Sequence, residues 1–579
     1  MSTLGTFSPA RATVADAQAA GVFSSGDLAF AEMVVRRAGI EDPACASALA
    51  LLAKAVRLDH VCAELTESGI GQLWVGDDGE DAATGPPTAQ GLLEALAAAG
   101  DLVEHVAEGA DVDPYGDAPL VLSAHRCYLR RYALLEQLVA ERLGELEQLE
   151  VPAGLDHVLE RVAGAADVAQ RDAVRRAFSC PVSVIAGGPG TGKTTTVALV
   201  LRVAGELPEP LSVALATPTG KAAARLDEAV RAVVAGDDVG VDGFAPARTL
   251  HSLLGVGRDG MTRVQRPLDA DVIVVDEASM VSLPLLAATL RRARPGSRVI
   301  LVGDPDQLAS IEVGAVLADV VAAAASGGVV VSTLTTAHRF EDARGVPSLA
   351  SAVRSGSVTE LDAAVASHPD LHLVRPEEGL EALVAHVTAH AVELLTAARD
   401  GDVDRSLALV ASLGVLCATR RGPGSTTWWN SAIESALVAR GMLRRRDTSY
   451  IGRPLLVTRN DPLTGLANGM IGVVVADGDD RRAVFEVGSF EPDAVAWADT
   501  VWALTIHKSQ GSEYDEVVVS LPGPDSRILT RELIYTAVTR ARRSVTLVAP
   551  KGSLQAALSR RVARSSGLAA RLAGTRVGR

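Results

Sequence analysis

The run Gly187-Gly188-Pro189-Gly190-Thr191-Gly192-Lys193-Thr194-Thr195 holds the most specific chemistry in this sequence. It fits G-x-x-x-x-G-K-[ST], in which glycines let successive backbone N–H groups wrap a chain of phosphates at a helix N-terminus. Lys193 would reach the β- and γ-phosphates, and the Thr194 hydroxyl would bind Mg²⁺. The context is the one the chemistry requires: the apolar run VSVIAG precedes the motif and the helical run TTVALVLRVAG follows it. A Gly-rich strand-to-helix turn without ligand would need neither the lysine nor the hydroxyl. Asp276-Glu277 close a second apolar run, VIVVD, where one carboxylate would hold Mg²⁺ and the other activate water. Paired acids at a strand end are common, but here they end a buried strand beside a phosphate loop. The nucleotide expected is ATP. Guanine readers of this class use N-K-x-D, and none of Asn430, Asn460 and Asn468 precedes a lysine.

Lysine is itself a signal. Of 55 Lys+Arg residues only Lys54, Lys193, Lys221, Lys508 and Lys551 are lysine. A compact ammonium and a planar guanidinium are not interchangeable, so a chain that uses arginine elsewhere keeps lysine where the difference counts. His386 and His390, four apart on an apolar helix, could suggest a metal pair. No third ligand or H-E-x-x-H glutamate accompanies them, so they read as core or surface histidines.

These groups need rigid elements behind them. VSVIAG, LSVALAT, VIVVDE and SRVILVGD are uninterrupted apolar strands separated by helical runs, the grammar of a parallel sheet buried on both faces. A second set, LALVASLGVLCAT, WALTIH, EVVVSLP and SVTLVAP, predicts a second such sheet. Between them, residues 450–500 alternate strands and turns and predict a small β-barrel insertion. Residues 1–150 read as mainly helical, with PLVLSAHRCYLRRY as a possible strand and turn.

The net charge of −16 is unevenly distributed. Residues 1–150 hold 9 Lys+Arg against 24 Asp+Glu, whereas the rest hold 46 against 47. From Arg531 onward there are 11 basic residues and one acid, so phosphate-binding surface is expected only in the C-terminal part. The five cysteines (Cys45, Cys62, Cys127, Cys180 and Cys417) form no C-x-x-C pair, which suits a reducing cytoplasm better than a disulfide framework or a structural zinc site. No signal peptide and no bilayer-spanning apolar stretch is read, so no membrane association is expected.

Seven blocks in order, GGPGTGKTTT, ATPTGKAAARL, TLHSLLG, DEASMV, GDPDQLASIEVGAVLAD, TIHKSQGSEYDEVVV and LIYTAVTRARR, resemble the motifs of superfamily 1 DNA helicases over about 170–550. LCATRRGPGSTTWWN and GRPLLVTRNDPLTGLANGMIG resemble more narrowly the RecD family, alpha subunits of the RecBCD complex (exonuclease V). The resemblance implies an α/β fold of two RecA-like P-loop domains, at 151–345 and 346–579, the second carrying the barrel insertion. A mainly helical domain at 1–150 precedes them. It implies that Gln170 reads adenine, that Gln307 senses the γ-phosphate, and that Glu513 touches the ribose. Arg339 and Arg540 would be arginine fingers, planar cations on the transition-state charge. DNA contacts would come from Thr217, Thr219 and Lys221, from Thr249 and His251, and from Thr505, His507 and Ser509, donors that suit backbone tracking without base readout. The segment 255–270 would form a strand-separating hairpin.

The same resemblance implies 5′→3′ movement on single-stranded DNA, unwinding of duplex DNA, RecB-like and RecC-like partners in a heterotrimer, and work in double-strand-break repair and recombination. A nuclease of the exonuclease V kind needs an acid two residues before a lysine. The residues there are Leu52, Thr191, Thr219, Ile506 and Ala549, so cutting is expected from a partner subunit. Two other readings stay open: a stand-alone RecD-like helicase, against which the short acidic N-terminus argues, and an ATP-binding regulatory subunit without motor activity. The acidic amphipathic helices of residues 1–150 are expected to dock on a partner rather than on DNA.

Overall fold

A computed structural model describes residues 17–18, 21–75, 85–144, 149–164, 166–235, 245–257, 266–310, 312–324, 329–336, 344–444, 449–461, 463–562 and 564–574. The expected hairpin at 255–270 has its centre, 258–265, outside the described residues.

The N-terminal part is helical with a small sheet. Helices Ser25–Ala38, Pro43–Arg57 and Ala89–Ala97 pack around strands β1 (Ala63–Glu64), β2 (Val103–Val106), β3 (Leu120–Ser123) and β4 (Arg126–Leu129), ordered β1-β4-β3-β2. Ser24 and Asp27 cap the first helix reciprocally, and Asp27 also holds Arg57 at 2.9 Å. Lys54 is 1% exposed, and its ammonium donates to the carbonyls of Val22 and Val75 at 2.5 and 2.7 Å. This lysine is kept for packing, because a buried cation needs such acceptors. The helix Arg130–Gly144 follows the small sheet directly but packs into the next core. Its Tyr132, Ala133, Val139, Ala140 and Leu143 share one hydrophobic cluster with the sheet that follows, so the core crosses residue 150.

That sheet contains β5 (Val182–Gly187), β6 (Val213–Thr217), β7 (Arg248–Thr249), β8 (Val272–Val275), β9 (Arg298–Gly303) and β10 (Val330–Leu334). All pairs are parallel, in the order β10-β5-β9-β8-β6-β7. Strands β5, β8 and β9 are buried along their whole length, as their unbroken apolar runs require.

A second parallel sheet uses β11 (Leu371–Val374) and β12 (Leu413–Cys417) before the insertion. The insertion holds β13 (Pro454–Leu456), β14 (Ile471–Asp477), β15 (Asp480–Phe485), β16 (Gly488–Phe490) and β17 (Asp499–Thr500). The sheet then resumes with β18 (Ala503–Thr505), β19 (Tyr514–Ser520) and β20 (Ala541–Val548), in the order β11-β20-β19-β12-β18. The insertion is an antiparallel sheet, β16-β15-β14-β13-β17, and among the described residues its two edge strands do not pair to close a barrel.

Two sequence expectations need correction. The run LALVASLGVLC is not one strand: Val403–Ser412 is helical and only Leu413–Cys417 is extended, because an apolar run alone cannot distinguish a buried helix from a strand. One helix, Pro376–Arg399, is long and apolar enough to cross a membrane by length and composition. Its Leu383, Val387, Ala391, Leu394 and Leu395 are buried in the core beside the second sheet, which accounts for the apolarity.

Candidate functional site

The phosphate loop forms because β5 ends at Gly187 and the next helix starts at Lys193. Gly190 and Gly192 sit at φ 73° and 80°, a conformation that side chains rarely adopt. A Cβ on Gly187 would collide with the Thr191 hydroxyl, so the loop closes only around glycine. Lys193 Nζ donates to the carbonyls of Gly187 and Gly188 at 2.7 and 2.8 Å, folding its ammonium over the loop. Gln170 is buried, caps its own helix with Asp167, and donates from Nε2 to Gly192 at 3.4 Å.

Strand β9 lies next to β5 in the sheet and β8 lies next to β9, so their carboxyl ends deliver acids on the side of the loop. Burial, and then the adjacent Glu277, push the Asp276 carboxyl up to about 7. Glu277 holds a left-handed backbone at φ 53°, an uncommon and costly conformation for a non-glycine residue. Asp304 follows β9 and is raised above its ordinary value by burial, against the opposing pull of Lys193. Gln307 donates to Asp304 Oδ2 at 3.1 Å.

The second sheet closes the site. A cavity of about 310 Å³ is lined by Gly190, Lys193, Thr194, Thr195, Asp276, Glu277 and Gln307 from one side and by Glu513, Thr539 and Arg540 from the other. Arg540 is held in place by Thr536 O at 3.0 Å and Ser512 O at 3.4 Å. Three hydrogen bonds cross the seam nearby: Thr536 Oγ1 accepts from the Leu308 N–H, Gln510 donates to Leu308 O, and Tyr535 donates to Asp304. Arg339 lies outside the described residues.

The residues expected on DNA fall at strand ends, with their hydroxyls used locally. Thr217 and Thr249 are register partners at the ends of β6 and β7. Thr217 is fully buried and donates to Thr219 O, while Thr249 and Thr505 cap short helices. Ser509 is buried and donates to Ile506 O. His507 follows β18, and burial, with Arg564 and Arg420 adding to it, lowers its pKa. His251 is half-buried on the short helix after β7. Lys221 reaches across the seam to Ser512 Oγ at 2.7 Å. His386 meets Glu516 and His390 meets Leu409 O, so the two histidines do not converge.

Sequence reasoning missed Arg225, Tyr535 and the C-terminal segment. The basic tail is largely structural. Arg564 donates to Glu312 O and Gly314 O, Arg571 donates to Ala110 O and lies 3.7 Å from the fully buried Glu136, and the Ser565 N–H donates to His60. Residues 564–572 thus strap the N-terminal part to the first sheet.

Residues 165–375 match an AAA domain, residues 500–548 a UvrD-like helicase C-terminal domain, and residues 19–128 the N-terminal domain of RecBCD enzyme subunit RecD. The chain is 40% identical over 569 residues to the RecBCD enzyme subunit RecD of Mycolicibacterium smegmatis, covering 96% of this chain and 98% of that one. The chain belongs to the RecD family. The RecD subunit of Mycobacterium tuberculosis is likewise 40% identical over 575 residues, with 96% of each chain covered. The ATP-dependent RecD2 DNA helicase of Deinococcus radiodurans is 31% identical over 377 residues, covering 62% of this chain and 46% of that one. Membership of the RecD family explains why both sheets and the N-terminal part are matched together, and not the phosphate loop alone.

Proposed function

We propose that this chain is the ATP-dependent DNA helicase subunit of a RecBCD-type enzyme, moving 5′→3′ on single-stranded DNA and acting in double-strand-break repair and recombination. The observation that carries the reading is the cavity in which Lys193, Thr194, Asp276, Glu277 and Gln307 of one sheet face Glu513 and Arg540 of the other. ATP bound there touches both halves, so hydrolysis changes the contacts that hold the seam closed.

The donor set fits Mg²⁺. Asp276 is a buried carboxylate beside a second acid, and it stands with the Thr194 hydroxyl on the same cavity wall. The ion would neutralise charge developing on the phosphates. Lys193 leaves the Gly187 and Gly188 carbonyls for the γ-phosphate, Glu277 accepts the proton of the attacking water, and Gln307 links that position to Asp304. Arg540, and Arg339 by its motif, place cationic charge on the transition state. Gln170 and Glu513 hold the adenine and ribose ends.

Thr217, Thr249 and Thr505 end strands of the two sheets, Thr219, His251, His507 and Ser509 lie just beyond those ends, and DNA backbone runs along that line. Backbone N–H groups at the helix starts do most of the contacting there, since several of the hydroxyls are already bonded. RecB-like and RecC-like subunits are the partners, and the acidic N-terminal helices face them. The test is ATP turnover of the full chain with and without single-stranded DNA, beside Glu277→Gln. Strong stimulation that vanishes in the variant is expected. Turnover indifferent to DNA overturns the reading.

A further inference from the structure

The helix Gly220–Ala235 begins three residues after β6, directly beyond Thr217. Lys221 and Arg225 are four residues apart and therefore share one face of it. Both cross the seam to the same short stretch of the second unit. Lys221 Nζ donates to Ser512 Oγ at 2.7 Å, Arg225 Nη1 donates to Gly511 O at 2.6 Å, and Arg225 Nη2 lies 3.2 Å from Glu513 Oε2. From the opposite side Arg542 Nε meets the same Glu513 Oε2 at 3.2 Å, and Arg540 donates to Ser512 O. Tyr514 then ties back to Arg540 through its N–H to the Arg540 carbonyl at 2.9 Å. Gly511 holds φ 71°, so the stretch turns sharply to present these groups.

Glu513 and Arg540 are the two charged residues by which the second unit lines the nucleotide cavity, beside Thr539. The segment that carries one and braces the other is therefore gripped by a helix that starts at the end of β6. We propose that Lys221 and Arg225 form a two-pronged clasp on Gly511–Glu513, by which the DNA-facing end of β6 sets Glu513 and Arg540 against the nucleotide. Arg225 is the positioning residue with two contacts, Lys221 the one with a single contact. Burial, with Arg225 adding to it, lowers the Lys221 pKa to about 8, as suits an ammonium enclosed in a seam rather than one open to solvent. The same helix touches the β insertion, where a Cβ on Gly220 would collide with Ala467, so movement of the helix is felt on both sides.

The proposal rests on the reading of the cavity as the ATP site, and the experiment separates the two. ATP turnover of the full chain is titrated with oligo-dT for wild type, Arg225→Ala, Glu513→Gln and the double variant, with Lys221→Met as a second arm should Arg225→Ala not fold. The expected result for Arg225→Ala is a loss of roughly tenfold or more in kcat at saturating DNA. Its DNA half-saturation should stay within about twofold of wild type. Adding Arg225→Ala to Glu513→Gln should cost little more than Glu513→Gln alone, because both break one linkage. Lys221→Met should show the same kcat loss in weaker form. A parallel rise in DNA half-saturation would make these residues DNA contacts and overturn the clasp. Losses that multiply independently, or turnover equal to wild type, would overturn it too. Wild type without DNA-stimulated turnover would instead remove the helicase reading, and the clasp with it.

Discussion

Tyr535 donates its hydroxyl to Asp304 Oδ2 at 3.2 Å, joining the helix Arg531–Val538 of one sheet to the end of β9 in the other. Asp304 also accepts from the Asp306 N–H and from Gln307, so one buried carboxylate collects bonds from both sides of the seam. Losing one bond at such a site leaves the rest of the network strained for partners. Tyr535→Phe should therefore cost about 1–3 kcal/mol of interdomain stability. DNA-stimulated kcat should fall, while ATP binding changes little. Unchanged turnover together with unchanged melting would show that the bond does not couple the halves.

Lys193→Ala should remove ATP turnover by several powers of ten, on the order of 10³ or more, because the γ-phosphate loses its fixed cation. The loop should survive, since Lys193 contributes only two hydrogen bonds to it. Steady-state turnover beside a melting curve checks both halves of this statement.

Arg540 calls for a milder change, because it is buried and bonded to Thr536 and Ser512. Arg540→Lys keeps the charge and loses the planar fork. A residue that acts in the transition state should then lower kcat with little effect on nucleotide affinity. Equal losses in both, measured by kinetics and a fluorescent nucleotide, would assign Arg540 to ground-state binding.

The legible part of the molecule was the part in which chemistry and backbone coincide. The phosphate-loop motif, the position of Asp276-Glu277 at a strand end and four apolar strands of the first sheet could be read because each is a local pattern in the chain. Strands β7, β10 and β11 were missed; they are edge strands whose pairing is decided by their neighbours. The strap was illegible for another reason. Ser565 meets His60 and Arg571 meets Glu136 across hundreds of residues, and no local pattern encodes such a pairing. The same holds for Lys221, whose motif suggested DNA while its ammonium crosses the seam to Ser512.

The strap gives a pH prediction. Burial, and then Arg564, lower the His60 pKa from 6.5 to about 4, and its Nδ1 accepts the Ser565 N–H. Between those values the unfolded chain takes up a proton that the folded chain refuses. The stability contributed is thus complete above pH 6.5 and lost as pH falls towards 4, by roughly 3 kcal/mol in all. Asp319, raised to about 7 mainly by burial, and Glu136, also raised by burial, act in the opposite sense nearby. The comparison must therefore be with His60→Asn, which can keep the acceptor, removes the titration and shares every other group. Wild type should lose melting temperature relative to this variant from pH 7 to pH 4. Parallel curves would mean that His60 is not held neutral by the strap.

Directional strand separation is the behaviour that defines this chain as a 5′→3′ helicase. The full chain, with ATP and Mg²⁺, is given two partial duplexes that differ only in whether the single-stranded tail is 5′ or 3′. The 5′-tailed duplex should be separated and the 3′-tailed one should not, and Lys193→Ala should separate neither. Separation of neither duplex by wild type, or preference for the 3′ tail, would contradict the 5′→3′ helicase reading.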